Sequence, residues 1–456
     1  MTRLRIRRSG PLLGRARLAG DLHIGQQALV WAALAHGEST ITGLAARRDH
    51  RLLAEALREL GVAVEGVEGG YRVRGVGLAG LTLPRGALSA GDSETTLELL
   101  VALLAGQTFG TRVEASGAAA HHSLRTLIAP LRERGAHVKG RQSEDGDMFA
   151  PVAVAPLFAD ELLGSVEIGI PQGDPRTKLG MLISGLYARG VTAISEGMLS
   201  RDHAERALLA LGAPIETAAG MTLLDTSHAD PDTERSKESL AWPGFVWHVP
   251  GDFTLATFLL AAGLLVEGSD VQLHGVGLNP TRTAWLGALH GTGAQISVTP
   301  KGDAAGDEPL GDLRVKSSRL GRIRVGGERA FGMLDEVPAL VALALVSRER
   351  MTVRDVTSLR DRTPDALRTT AELLAQFGVE CTAYQDGMDI DPPLQVRAAH
   401  VQASVPPPQK LLACVLALVA DGETQIDGAE LLDACYPGFC ATLVALGASI
   451  EREEQP

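Results

Sequence analysis

The chain has 456 residues, of which 45% are hydrophobic and 21% are charged, and its formal net charge is −12. This length exceeds one ordinary core, so two or three domains are expected. The acidic balance and an aromatic content of 4% argue against a nucleic-acid partner. The longest apolar runs are too short for a membrane span. The four cysteines follow no metal or disulfide pattern, so we expect a cytoplasmic protein without a metal or other cofactor.

A unit of helix, turn and short strand recurs six times along the chain. Each unit opens with an apolar run at helical spacing, and a short segment rich in Thr, Val or Ile then predicts a strand. A second helix that ends in glycine follows, as in "LLAEALRELGVAVE". The spacing, roughly 70–85 residues, exceeds that of solenoid repeats, so six large α/β units are predicted. Their openings begin at Ala28, Leu97, Lys178, Leu255, Leu340 and Lys410.

Two stretches interrupt this pattern. The segment from Thr226 to Gly244 is polar, contains proline and falls between the third and fourth units. It is therefore a candidate domain boundary, with three units on either side. The segment from Thr299 to Arg314 is rich in glycine and aspartate, and it predicts a solvated hairpin or loop within the fourth unit.

Six segments, taken in order, resemble EPSP synthase over nearly the whole chain. They are "GDLHIGQQALVWAALAHGESTITGL", "SRDHAERAL", "VPGDFTLATFLLAAGLL", "VGLNPTRTAWLGAL", "DEVPALVALAL" and "DGAELLDACYPGF". The resemblance implies an α/β fold, a two-domain inside-out α/β barrel of six βαβαββ repeats with three per domain. It implies domains at 22–247 and at 1–21 plus 248–456. The family transfers an enolpyruvyl group from phosphoenolpyruvate to shikimate 3-phosphate, and Lys and Arg side chains line its interdomain cleft.

The first half of the chain departs from the family at the substrate positions. The motif G-D-K-S-I-x-x-R has lost its lysine here, and His23 and Gln27 stand at the serine and arginine positions. The motif G-N-[SA]-G-T-x-x-R carries Asp92 for asparagine, Glu94 for the second glycine and Glu98 for arginine. The resemblance therefore places acidic or neutral groups where the family holds cations.

Other family positions keep a charge. The Ser-Ser-Gln that holds the shikimate phosphate aligns with a segment containing Asp174 and Arg176, and Lys178 keeps its place after it. Arg362 keeps a cation where the family has lysine. Lys410 is the one residue near the last core helix that could serve as a cation, two positions out of register.

Several candidates have two interpretations each. Asp335 matches the family's proton-accepting aspartate, but it could also be the N-cap of the fifth core helix. His23 could be a general base or an exposed loop residue. Glu94 and Glu98 lie one helical turn apart, so they could form a carboxylate pair or belong to a solvated helix face. The pair His121-His122 has no third ligand at metal spacing, so no metal is expected.

The remaining candidates flank helices. Arg201, Asp202 and Glu205 could bind substrate or form a surface ion-pair cluster, whereas Asn279 and Arg282 are expected to stabilise a turn and a helix start. We assign catalytic roles to Asp335, His23 and Glu94. We assign substrate binding to Gln27, Asp92, Glu98, His122, Asp174, Arg176, Lys178, Arg201, Arg362 and Lys410.

Charge then decides the expected function. A charge-assisted hydrogen bond contributes roughly 1.5–3 kcal/mol, so losing about five cations and gaining three carboxylates would forfeit on the order of 10 kcal/mol. We therefore expect a diverged transferase that acts on a cyclitol, sugar or shikimate-like small molecule in the interdomain cleft, as a monomer. It would not bind phosphoenolpyruvate and shikimate 3-phosphate in the family's usual way.

Two alternatives remain open. The chain could be a genuine EPSP synthase, which the full-length resemblance favours, or a non-catalytic homologue acting as a binding protein. The related transferase for UDP-N-acetylglucosamine is disfavoured, because no cysteine lies between Leu97 and Leu127.

Overall fold

A computed structural model describes residues 2–158, 161–170, 172–227, 240–362 and 364–454. Most of the candidate boundary between Thr226 and Gly244 therefore lies outside the described residues. The strands are β1 Thr2–Arg7, β2 Leu13–Arg17, β3 His36–Thr42, β4 Ala63–Val67, β5 Gly70–Val76, β6 Leu88–Ser89, β7 Thr111–Glu114, β8 Val138–Gln142, β9 Met148–Val154, β10 Val166–Ile170, β11 Val191–Glu196, β12 Ile215–Ala218, β13 Met221–Asp225, β14 Val246–His248, β15 Asp270–Gly277, β16 Gln295–Ala304, β17 Glu308–Lys316, β18 Arg324–Val325, β19 Met351–Val353, β20 Cys381–Ala383, β21 Met388–Ile390, β22 His400–Val401, β23 Glu423–Asp427 and β24 Ile450–Glu454.

Helices alternate with these strands. They are α1 Leu22–Leu34, α2 Arg48–Glu59, α3 Glu94–Leu104, α4 Arg125–Glu133, α5 Pro175–Gly185, α6 His203–Ala210, α7 Phe253–Leu265, α8 Ala284–Leu289, α9 Gly327–Phe331, α10 Val337–Ala342, α11 Ala366–Gln376, α12 Pro407–Ala417, α13 Ala429–Cys435 and α14 Phe439–Ala445. Short 3₁₀ turns include Gly117–His121 and Leu334–Glu336. Within the described part of the chain, no helix combines the length and the apolar character needed to cross a membrane.

The strands form six four-stranded mixed sheets with one common order. In each sheet two parallel strands lie side by side, and antiparallel strands continue the sheet, as in β6-β7-β9-β8. Where the two parallel strands follow each other in sequence, as β6 and β7 do, a helix connects them and another helix follows, which gives the βαβαββ repeat. The predicted inside-out α/β fold of six repeats is confirmed.

Three sheets are completed by a strand from a distant part of the sequence. β1 lies between β23 and β24 and pairs antiparallel with both, so Arg3 faces Asp427 and Thr2 faces Glu454. β2 pairs parallel with β15, and β14 pairs parallel with β3. The first two strands of the chain thus belong to sheets built mainly from its C-terminal half.

The chain divides into two compact units. The N-terminal unit comprises Leu22–Val249 and Ala304–Glu308, and the C-terminal unit comprises Met1–Asp21, Pro250–Asp303 and Pro309–Pro456. That these units are separate folding domains, with the boundaries given by the resemblance, stays a prediction.

The segment from Thr299 to Arg314 forms the predicted hairpin of β16 and β17. Its tip belongs to the N-terminal unit, where Glu308 is buried and its Oε1 lies 2.6 Å from Nδ1 of His203. The expectation that the whole hairpin is solvated was wrong at this tip, because Glu308 is buried there in contact with His203.

The six predicted openings are the six core helices. α1, α3 and α5 are almost wholly buried in the N-terminal unit, and α7, α10 and α12 are buried in the C-terminal unit. Runs of Ala and Leu let them pack on every side, because such side chains carry no polar group that needs water. Asp252 caps α7 by accepting hydrogen bonds from the backbone N–H groups of Thr254 and Leu255 at 2.9 and 3.3 Å.

Candidate active site

Two core helices of the N-terminal unit begin beside each other. Ser93 caps α3, because its Oγ accepts a hydrogen bond from the backbone N–H of Thr96 at 3.3 Å. Asp174 caps α5 and accepts from the backbone N–H of Arg176 at 3.0 Å, while Pro175 occupies the first helical turn. α3 packs against α5, so the side chains of their first turns can meet.

These turns and the segment before α4 hold five predicted site residues, which we call the Arg176 cluster: Glu94, Glu98, His122, Asp174 and Arg176. The Arg176 guanidinium hydrogen-bonds Glu94, and its Nε lies 3.7 Å from Glu98 Oε1 and 4.0 Å from Asp174 Oδ1. Burial opposes the charge of Arg176, but the three carboxylates outweigh this effect and raise its pKa. The side chain is still 32% exposed, so solvent and solutes reach it.

Glu98 lies beneath this surface. Its Oε1 is 2.7 Å from His122 Nε2, while its Oε2 is buried and has no hydrogen-bond partner among the residues that the structure describes. Burial raises the pKa of Glu98, although His122 and Arg176 oppose the shift. The interpretation of Glu98 as part of a solvated helix face is therefore wrong. Glu94 and Glu98 do form a pair of carboxylates, and the guanidinium of Arg176 contacts both of them.

Lys178 is the fourth residue of α5, and its side chain is buried. Its Nζ contacts Glu196 Oε2 at 2.8 Å and Glu205 Oε1 at 2.6 Å, and the three side chains are 2%, 4% and 7% exposed. Burial alone would lower the pKa of Lys178, but the two carboxylates raise it. Burial raises the pKa of Glu205 despite Lys178. The sequence analysis missed Glu196, and its surface interpretation of Glu205 was wrong.

The N-terminal unit holds four further candidates. His23 is partly buried in the first turn of α1, and Arg201 is partly buried just before α6. Gln27 is buried, and its Oε1 has no hydrogen-bond partner within the described ranges. Asp92 pairs with Arg48 at 2.6 Å on the surface, a partner that the sequence analysis did not predict.

In the C-terminal unit, Asp335 belongs to the 3₁₀ turn that leads into α10. Its Oδ1 lies 2.7 Å from Nη2 of Arg362, and the two side chains are 31% and 42% exposed. The N-cap of α10 is Glu336, so the interpretation of Asp335 as that cap was wrong. An accessible carboxylate beside a guanidinium can accept a proton from a substrate hydroxyl, and the guanidinium can bind an anion.

A buried ion cluster lies next to Asp335 in sequence. Arg282 Nη2 is 3.3 Å from Glu336 Oε1, 3.6 Å from Asp21 Oδ2 and 2.8 Å from Thr254 Oγ1. Burial opposes its charge, but the carboxylates raise the pKa of Arg282. The predicted turn is confirmed, because Asn279 Oδ1 accepts from the backbone N–H of Thr281 at 2.9 Å. The arginine itself does more than start a helix, since it joins three segments of this unit.

Lys410 is buried in α12. Its Nζ donates to the backbone carbonyls of Ala403 at 2.9 Å and Gly428 at 3.1 Å. Burial lowers its pKa, and nearby Glu430 and Asp427 oppose the shift. A Cβ at Gly428, where φ is +69°, would lie 2.9 Å from this ammonium, so the glycine makes room for Lys410.

Comparison with known proteins places these residues in a family context. A model of EPSP synthase (3-phosphoshikimate 1-carboxyvinyltransferase) matches residues 6–443. A 3-phosphoshikimate 1-carboxyvinyltransferase of Gloeobacter violaceus is 37% identical over 433 residues, which is 94% of this chain and 95% of that protein. A protein of the same name from a Synechococcus species is 35% identical and covers 96% of this chain and 98% of its own.

Solved structures agree on the fold. EPSP synthase from Acinetobacter baumannii superimposes with a TM-score of 0.86 at 26% identity, and all of both chains is covered. The enolpyruvyl transferase NikO from Streptomyces tendae has a TM-score of 0.75 at 17% identity, covering all of this chain and 99% of that one. The second likeness concerns the fold alone.

These relatives correct the expected function. The interpretation as a diverged transferase for a cyclitol, sugar or other shikimate-like substrate was wrong, because relatives at 35% and 37% identity over nearly the full length are named as 3-phosphoshikimate 1-carboxyvinyltransferases. The charge argument summed replaced positions as independent contacts, and neighbouring contacts are not additive. The full-length match shows that the chain belongs to the EPSP synthase family.

Proposed function

We propose that this protein is a working EPSP synthase, which transfers the enolpyruvyl group of phosphoenolpyruvate to a hydroxyl of shikimate 3-phosphate. The observation that carries the proposal is the similarity to named 3-phosphoshikimate 1-carboxyvinyltransferases over at least 94% of the chain. In this reaction the hydroxyl oxygen bonds to C2 of phosphoenolpyruvate while C3 gains a proton. Phosphate then leaves from C2, C3 loses a proton, and the double bond forms again.

The contact between Asp335 and Arg362 supports Asp335 as the group that accepts the proton of the substrate hydroxyl. The carboxylate is accessible, and the guanidinium at 2.7 Å fixes its orientation, so it can take the hydroxyl proton in a defined direction. Arg362 keeps exposed N–H donors for an anionic substrate. The catalytic roles of His23 and Glu94, and the substrate-binding roles of the other candidates, remain predictions.

The proposal is tested by phosphate release from phosphoenolpyruvate in the presence of shikimate 3-phosphate. We expect turnover by the wild-type protein, and we expect Asp335→Asn to lower kcat by about 10²–10⁴, the usual contribution of general acid–base catalysis. Asp391→Asn is the matched control, because it removes another Asp–Arg pair of the C-terminal unit, at 2.7 Å from Arg350. It should keep wild-type turnover.

A second assay guards against a poor choice of conditions. The gene should restore growth without aromatic amino acids to a strain that lacks EPSP synthase, and the Asp335→Asn gene should not. Folded protein that neither releases phosphate nor restores growth would contradict the proposal and favour a binding protein.

We also infer that the enzyme acts on small molecules as a cytoplasmic monomer. No disulfide joins the four cysteines, all of which lie in the described ranges, and this fits a reducing compartment. The net charge of −12 fits a protein without a nucleic-acid partner.

A further inference from the structure

The Arg176 cluster has features that favour anion binding, yet it contains more carboxylates than cations. The first turns of α3 and α5 carry the positive ends of two helix dipoles, which attract anions. Arg176 adds an accessible cation. However, three carboxylates share this cation, and one of them, Glu98, has a buried oxygen with no hydrogen-bond partner among the described residues.

The formal charges of the Arg176 cluster show this excess of acid. Arg176 with ionised Glu94 and Asp174 sums to one negative charge. The Glu98–His122 pair adds one negative charge when it holds no dissociable proton, none when it holds one proton, and one positive charge when it holds two. The whole cluster therefore carries two, one or no net negative charges when the pair holds no, one or two protons, so each proton that the pair takes up lowers the repulsion that an anion meets at Arg176.

We infer that Glu98 and His122 form a proton-loading pair, so that shikimate 3-phosphate binds at Arg176 together with a proton that the pair takes up from solvent. The inference rests on the proposed function. The proton adds to the pair on binding and returns to solvent when the anion leaves, so no other reactant is needed. Both residues act through Arg176, and their role is positioning.

Of the acidic groups in the Arg176 cluster, the Glu98–His122 pair is the one whose charge we expect to change. Glu94 and Asp174 are each at least 31% exposed and bonded, whereas Glu98 is 4% exposed. α2 also packs on α3, but its Arg48 is paired with Asp92. Among the described residues, Glu94 from α3 faces His122, and Asp174 and Arg176 from α5 face Glu98.

Calorimetry tests the inference. Shikimate 3-phosphate is titrated into the full-length protein between pH 7.5 and 9, where its phosphate, with a second pKa near ~6, is already a dianion. Buffers of different ionisation enthalpy report the number of protons taken up. We expect up to about one proton per ligand and a Kd that weakens by up to about tenfold per pH unit.

Two variants test whether Glu98 acts on ligand binding or only stabilises the fold. Glu98→Gln removes the carboxylate of the pair, so this variant should take up fewer protons than wild type on binding, with a Kd that changes less with pH and is tighter than wild type at pH 9. Glu161→Gln is the matched control, because it removes an exposed Glu–His pair at 2.9 Å from His137 in the same unit. It should keep the wild-type proton uptake.

Each outcome decides something. Binding by the wild-type protein without proton uptake overturns this inference alone, and so does a Glu98→Gln variant with the wild-type pH slope. If Glu98→Gln fails to fold, the wild-type proton count still decides. Folded protein that binds no shikimate 3-phosphate at any pH overturns the proposed function as well.

Discussion

Replacing Lys178 with methionine should destabilise the N-terminal unit strongly. Methionine is similar in length but uncharged, so Glu196 and Glu205 would face each other without the ammonium that now lies 2.8 and 2.6 Å from them. With charge centres about 4 Å apart and an effective dielectric constant of about 20, each attraction is worth about 4 kcal/mol. Repulsion between the carboxylates and the desolvation of all three groups offset much of this sum.

The expected net effect is the cost of breaking a buried ion pair, about 3–5 kcal/mol. Urea unfolding followed by circular dichroism measures it, and Lys139→Met is the control, because Lys139 is exposed in the same unit and should change stability by less than about 0.5 kcal/mol. The deficit should shrink as the pH falls, since carboxylates without a cation then take up protons. A Lys178→Met protein as stable as the Lys139→Met protein would refute the reasoning.

Two further predictions concern buried charges. Arg282→Met should lower the free energy of unfolding by about 3–5 kcal/mol, because Glu336 and Asp21 lose their shared cation, whereas Arg314→Met, at a 52% exposed arginine, should change it little; equal unfolding midpoints would contradict this. Glu98→Gln should alter the pH dependence of stability. Since the folded pKa of Glu98 is raised by burial, its neutral form contributes fully below the unfolded value of about 4.3 and that contribution is lost as the pH rises through the folded value. The variant should therefore gain stability over wild type with rising pH, and a pH-independent difference between the two would count against a buried, protonated Glu98.

The fold could be predicted from the sequence because its signals are local and repeated. The apolar runs that open at Ala28 and Leu255 have helical periodicity, and they form the buried helices α1 and α7. The fifth opening is the exception. Its α helix ends after six residues at Ala342 and continues as a 3₁₀ turn over Leu343–Val346, a change of hydrogen bonding that periodicity does not report.

The site was harder to predict because its contacts join residues that are far apart in sequence. Nothing near Lys178 indicates that Glu196 and Glu205 enclose it, and nothing near Glu98 indicates that His122 meets it from 24 residues away. Charge could be counted from the sequence, but the pairing of charges could not.

The position of β1 has a consequence for how the protein is made. This strand leaves the ribosome well before its hydrogen-bonding neighbours β23 and β24, and the ion pair of Arg7 with Glu423 joins residues 416 positions apart. At roughly 5–20 residues per second, the first strand waits roughly 20–80 s for its partners. During translation its backbone N–H and C=O groups lack their sheet partners. A chain that stops before β23 leaves this strand without its neighbours, so premature termination should yield a product that chaperones and proteases recognise.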